Sequence, residues 1–282
     1  MTRVGSQLDL GAAQPLSIAT ADGPIAALHS GPPDGPPVLL LPGYTGSKED
    51  FGPIMDALAG AGMHAVAIDL PGQYESPGPT ELAGYTTAAL GMRVREIATG
   101  LGERVHLVGH SFGGLVARSA VLAGAGVFAS LVLMDSGPAA LDGSRAERIE
   151  LMRPLLPELG VAGIYAASEA LAASEPDHVP DPPELAAFMQ RRFVAGSAAM
   201  LAGMGDAVTS EPDRVDELAA AGLPMLVLFG VHDDAWLPQL QREMAQRLGA
   251  RCVEIDGAAH SPAVENPQAT ATALIDFWRA TG

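Results

Sequence analysis

A serine set between glycines is the first candidate for chemistry. In Gly109-His110-Ser111-Phe112-Gly113-Gly114, Ser111 has a glycine two residues away on either side. The segment follows the apolar run Val105–Val108 and precedes a helical stretch that opens at Phe112. A strand that turns this sharply into a helix strains the serine backbone, and small neighbours let strand and helix approach. The hydroxyl then stands at the C-terminal edge of a sheet and at a helix N-terminus, where backbone N–H groups favour developing negative charge. The chemistry expected of Ser111 is nucleophilic attack on an acyl carbon.

A serine hydroxyl is a weak nucleophile near neutral pH and needs a base. Seven histidines are available. His64 and His106 fall in apolar runs and are expected to be buried and satisfied. His29 lies by a lead-in strand and His178 in a Pro-rich loop. His110 adjoins Ser111, but neighbours in such a turn diverge, so it is expected to be structural or on the oxyanion side. His260, in Gly257-Ala-Ala-His-Ser-Pro262 just past an apolar run, is the expected base. The base needs an acid to fix its tautomer and stabilise the imidazolium. Asp233 is expected in that role, in Gly230-Val-His-Asp-Asp234 directly after the run Leu226–Phe229. Asp234 is its near rival. Asp135, which ends Leu131–Met134, is the distant one, read here as a polar strand end that anchors the hinge of an insertion. Oxyanion donors are expected from the backbone N–H groups of Phe112 and of Tyr44, the latter in Pro42-Gly-Tyr-Thr-Gly46 after the run Val38–Leu41.

These residues need a frame that brings loop ends together. Short apolar runs closed by turn residues recur at Val38–Leu41, His64–Ile68, Val105–Val108, Leu131–Met134, Leu226–Phe229 and Arg251–Ile255. Runs that short and apolar on both faces fit buried parallel strands. Helical patterns lie between them at Asp50–Ala61 (with Ser47 as cap), Thr86–Leu101, Phe112–Ala123, Pro238–Leu248 and Gln268–Trp278. The alternation predicts an α/β chain with a mainly parallel sheet, and the first thirty residues predict an antiparallel lead-in with Ile25–His29 as one strand. From Gly137 to about Gly222 no strand is expected. Helices are expected at Ala146–Leu156, Ile164–Ala173, Glu184–Val194 and Ala198–Val208, with a Pro/Asp-rich loop over Ser174–Pro183. An insertion this long inside a compact domain is expected to be functional.

Composition narrows the field. The chain has 282 residues, 48% hydrophobic and 17% charged, enough to bury a sizeable core. Its formal net charge is −17, and Lys48 is the only lysine. Without a basic run it is not expected to bind nucleic acid. The same charge disfavours anionic lipid and acidic substrates. The single cysteine, Cys252, excludes an internal disulfide and a zinc cluster and is expected to be a buried, inert thiol. The N-terminal stretch lacks a secretory apolar region and no run is long enough to span a bilayer, so a cytoplasmic protein is expected, as monomer or homodimer.

Leu41-Pro-Gly-Tyr44, Asp69-Leu-Pro-Gly72, Gly109-His-Ser-Phe-Gly-Gly114, Gly230-Val-His-Asp-Asp234 and Ala259-His-Ser-Pro262 occur in this order over nearly the whole chain. Together they resemble the α/β-hydrolase superfamily, in particular carboxylesterase-like serine hydrolases with a helical cap inserted after the sixth strand. The resemblance implies an eight-stranded, mainly parallel sheet flanked by helices. It implies a core over residues 1–137 and 222–282, a cap over 138–221, and the order Ser–Asp–His for the catalytic residues. Two departures stand out. Pro42-Gly43 replaces the usual His-Gly before the oxyanion residue, and Asp69-Leu-Pro-Gly-Gln-Tyr-Glu-Ser76 carries a tyrosine and a glutamate inside a usually glycine-spaced motif. A serine nucleophile argues against the dehalogenases and epoxide hydrolases of this fold, which use a carboxylate. Val231 stands where carbon–carbon-bond hydrolases usually have arginine.

Tyr44, Phe112 and Trp236 are expected beside the catalytic residues, with Phe188, Phe193, Met200 and Met204 contributed by the insertion. They suggest an apolar, closed pocket. The expected activity is cofactor-independent hydrolysis of a small, largely apolar carboxylic ester, without a metal. Acyl transfer, perhydrolysis, lactone or carbon–carbon cleavage, and slow-turnover ligand binding are the alternatives.

Overall fold

A computed structural model describes residues 5–175 and 179–281. Arg3, His178 and part of the Ser174–Pro183 loop lie outside the described residues. Eight strands form one sheet: β1 Gln14–Thr20, β2 Gly23–Ser30, β3 Pro37–Leu41, β4 His64–Ile68, β5 Val105–His110, β6 Phe128–Met134, β7 Met225–Gly230 and β8 Arg251–Ile255, in the order β1-β2-β4-β3-β5-β6-β7-β8. The β1–β2 and β2–β4 pairings are antiparallel and all others parallel.

The inner apolar runs are buried on both faces because helices cover both. Alternate residues of β3, Leu39 and Leu41, join one cluster, while Val38 and Leu40 join the other. This is the two-residue period of a strand sandwiched between layers. The first layer contains helices α2 Thr87–Leu101 and α3 Phe112–Ala123, and the opposite one contains α1 Gly52–Gly60. Thr86 caps α2 by accepting from the Ala89 N–H.

Among the described residues, no strand interrupts the chain between β6 and β7. It holds α4 Gly143–Met152, α5 Leu156–Ala173, α6 Pro183–Ala195, α7 Ala198–Ser210 and the short α8 Val215–Ala219, which the sequence pattern did not separate. Gly160 breaks α5 with φ 64° and ψ 177°. The chain closes with α9 Pro238–Leu248 in the first layer and α10 Pro262–Glu265 and α11 Pro267–Thr281 beside α1. Among the described residues, no helix is long and apolar enough to cross a membrane.

Two expectations about the strands are corrected. Cys252 is exposed, not buried, because β8 is an edge strand whose residues 251 to 254 are exposed or half-buried. Partial desolvation and then the Glu254 carboxylate push its thiol up from the ordinary value. His64 and His106 are half-buried rather than buried. His64 meets His29 edge-on, and His106 pairs through Nδ1 with Ser130 Oγ at 2.8 Å and packs on Trp278.

Candidate active site

The turn from β5 into α3 holds Ser111 at φ 54° and ψ −123°, a region L residues avoid and that costs roughly 1–3 kcal/mol. Two glycines make this turn possible. A Cβ on Gly109 would lie 2.3 Å from the Gly113 carbonyl oxygen, and one on Gly113 would lie 2.5 Å from that of Pro42. The Ser111 N–H donates to the Met134 carbonyl at 2.8 Å, so β6 pins the turn from the side.

The loops after β7 and β8 converge on this turn. His260 Nε2 lies 3.0 Å from Ser111 Oγ, and His260 Nδ1 lies 2.8 Å from Asp233 Oδ1. The His260 loop is tied down by Glu265, whose Oε2 accepts from the N–H groups of Ala259 and Ser261 at 2.7 and 3.0 Å. Asp233 is buried and also accepts from the Ala235 N–H at 2.9 Å and from Gln241 Nε2 at 2.7 Å. The near rival, Asp234, faces outward and is held by Arg145. Desolvation opposes its ionisation, but the Arg145 contact prevails and its carboxyl lies below the usual range.

His110 lines the same cavity as Ser111 and His260 but bonds to the backbone of the His260 loop rather than to Ser111 Oγ. Its Nε2–H donates to the His260 carbonyl at 2.6 Å. Burial, followed by the neighbouring His260, lowers it to about 4, so it is neutral at ordinary pH.

The oxyanion-side loop lies against the nucleophile. A Cβ on Gly43 would sit 3.0 Å from Ser111 Cβ and 3.4 Å from its Oγ. Among the described residues, neither the Tyr44 nor the Phe112 N–H is committed to a protein acceptor. The sequence departures at this loop have a structural counterpart. Buried Gln73 donates from Nε2 to the Gly43 carbonyl at 2.8 Å, while its Oε1 accepts from the Leu70 N–H at 3.0 Å. That bond fixes the plane of the peptide whose N–H belongs to Tyr44. Lys48 follows the same loop, its amine 2.9 Å from Glu49, 3.0 Å from Asp69 and 2.7 Å from Glu75, beneath the Tyr74 ring. Burial of Asp69 raises its carboxyl to about 6 against the pull of Lys48.

A cavity of about 340 Å³ opens above Ser111 and His260, bounded by Tyr44, Ile149, Val208 and the arginines Arg145, Arg148 and Arg192. Each of these arginines is paired with an acid: Arg145 with Asp234, Arg148 with Glu175, and Arg192 with Asp50, which also lines the cavity. A side chamber of about 170 Å³ shares Tyr44, Thr45, Arg148 and Ile149 with it and runs between the helices of the insertion past Leu156, Ile164, Leu171 and Phe193. Phe112, Met200, Met204 and Trp236 do not line the cavity. They are buried in the core, where large apolar side chains recover more contact than at a pocket wall. Trp236 instead donates from Nε1 to the Ala139 carbonyl, and Phe188 packs edge-on against Tyr74.

Asp135, Asp233 and His260 each place a potential metal-ligating atom within 4.8 Å of the others. Both ring nitrogens of His260 are already paired, to Asp233 and Ser111, an arrangement suited to moving a proton rather than holding a cation. Motif reading missed Gln73, Gln241, Glu265 and Arg192. Only Gln73 carried a signal, as part of a departure from the expected glycine spacing.

The description "Alpha/beta hydrolase family" matches residues 38–273. The chain is 30% identical over 245 residues to a pimeloyl-(acyl-carrier protein) methyl ester esterase of Aeromonas hydrophila, covering 83% of this chain and 92% of that protein. It is 27% identical to lipase 3 of a Moraxella species, covering 84% of this chain and 75% of the lipase. Among solved structures, a hydrolase from Pseudomonas aeruginosa superposes with a TM-score of 0.76 at 26% identity, covering 95% of this chain and 99% of the other. With its sheet order, its strained serine turn and these matches, the chain belongs to the alpha/beta hydrolase family.

Proposed function

We propose that the protein hydrolyses carboxylic esters through an acyl-enzyme formed on Ser111. The observation that carries this reading is the unbroken relay Ser111 Oγ to His260 Nε2 at 3.0 Å and His260 Nδ1 to Asp233 at 2.8 Å. Ser111 Oγ attacks the ester carbonyl carbon as its proton passes to His260 Nε2. The Tyr44 and Phe112 N–H groups hold the oxyanion. Collapse expels the alcohol, which takes the proton from His260, and water repeats the sequence to release the acid. The esterase and lipase relatives support the same chemistry.

Residues 138–221 act as a cap over a core of 1–137 and 222–282. The apolar side chamber favours a small, largely apolar substrate, with one arm of the ester between the cap helices. The experiment is labelling with a fluorophosphonate followed by intact-mass measurement. One adduct is expected on the native protein and none on Ser111→Ala, whose ester turnover falls by about 10³-fold or more. Full turnover by Ser111→Ala overturns the reading.

A further inference from the structure

Behind Asp233 lies a second carboxyl group that the relay does not use. Asp135 ends β6 with φ 45° and is fully buried. Its N–H donates to the Leu228 carbonyl at 2.9 Å, and its Oδ1 accepts from the Gly230 N–H at 2.9 Å. Among the described residues, no N–H or hydroxyl donor reaches its Oδ2. The carboxyl of Asp233 is its close neighbour, an oxygen of each lying within 4.8 Å. Two carboxylates this close inside an apolar interior repel, and a hydrogen bond between them requires a proton on one. Asp233 is the acceptor of the pair, because Ala235 N–H, Gln241 Nε2 and His260 Nδ1 already aim at it.

We propose that Asp135 is a positioning residue of the relay, a neutral carboxylic acid whose hydroxyl donates a hydrogen bond to Asp233. Resting on the assignment of Ser111, His260 and Asp233 above, this gives Asp233 a fourth donor and fixes the carboxylate plane that His260 Nδ1 must meet. It spares the site a second buried negative charge beside the imidazole. Burial first, then the charge of Asp233, hold the Asp135 carboxyl well above the usual range, with Glu265 adding in the same sense and the Gly230 N–H opposing. The titratable groups facing it are thus Asp233 after β7, His260 after β8 and Glu265 on α10.

Asp135→Asn and Asp135→Leu separate the possibilities. Asparagine keeps a neutral donor for Asp233 and an acceptor for the Gly230 N–H, whereas leucine keeps neither. Expected kcat for Asp135→Asn is within about threefold of the native value, while Asp135→Leu loses about tenfold or more with KM little changed. Asp135→Leu is also expected to shift the acidic limb of the pH–rate profile, which a purely structural role would not move. Because folding holds a proton that the unfolded chain releases, native stability declines as pH rises from about 4 towards the raised folded value. Asp135→Asn lacks this penalty, so its unfolding midpoint is expected to exceed the native one by a margin that widens as pH rises above about 4.

Infrared difference spectroscopy, native minus Asp135→Asn, supplies a readout free of turnover. The C=O stretch of a protonated carboxylic acid is expected near neutral pH and is expected to vanish in the variant. An ionised Asp135 would give no such band, a loss in Asp135→Asn as large as in Asp135→Leu, and a stability gap that closes with pH. That set overturns the proposal. If the band is present but the native protein takes up no fluorophosphonate, the esterase reading fails and the proton on Asp135 stands.

Discussion

The sheet and the helical insertion are built to different standards. Every residue of β6 and β7 is buried. By contrast, α4 buries only Ala146, and α5 only Leu156 and Ile164. The outer insertion has its own small cluster, Leu156, Ile164 and Leu201, while α7 sends Met200, Met204 and Val208 into the main core. Ser111, Asp233 and His260 all stand on loops at strand ends, where a shift of a few tenths of an ångström is resisted by dense packing. The side chamber is walled by helices with few buried anchors. Positioning of the chemistry and shaping of the ligand space are thus assigned to regions of different rigidity.

Arg118 on α3 is where the regions meet. Its guanidinium donates to the carbonyl of Pro138 at the start of the insertion, and to Glu211 at 2.9 Å and the Pro212 carbonyl at 3.1 Å at its end. Glu211 also accepts from Thr87 at 2.7 Å. Removing one partner of a buried pair strands the other charge, so Arg118→Met is expected to lose about 3–5 kcal/mol in urea unfolding. A loss below about 1 kcal/mol would mean that the two regions are held independently.

Gln73 tests the rigid side of the comparison. Gln73→Leu releases the Gly43 carbonyl and is expected to lower kcat by about ten- to a hundredfold with KM nearly unchanged. Unchanged kcat would show that the loop is held by its neighbours alone. Leu171→Ala tests the yielding side. It is expected to reduce stability by only about 1 kcal/mol while shifting preference a few-fold towards longer straight-chain esters, since one buried methylene is worth about 0.8 kcal/mol. A chain-length profile identical to the native one would remove the chamber from the substrate path.

The same contrast explains what could be read from the chain. His64–Ile68 and Arg251–Ile255 coincide with β4 and β8, because short apolar runs stopped by turn residues have few other solutions. Ser111, Asp233 and His260 could be picked out as candidates because each follows such a run, and the structure brings them within hydrogen-bonding reach of one another. The contacts of Gln73, Gln241 and Asp135 were not legible, since they depend on side chains meeting across the fold: Gln73 reaches Gly43, and Asp135 reaches Gly230. Apolar residues such as Met204 carry no mark that separates core from pocket wall. The exposure of Cys252 follows from a strand order that local pattern does not encode.

The only lysine of the chain has its side chain just 4% exposed and is bridged by three carboxylates, the nearest neighbours of the oxyanion-side loop. Desolvation lowers its pKa, but these acids outweigh it and hold the amine protonated. An acylating reagent that seeks side-chain amines therefore meets no ready target on the folded surface. Its slow reaction at Lys48, read at that residue by peptide mapping, would act as a clock for the opening of that corner of the fold without any engineered probe.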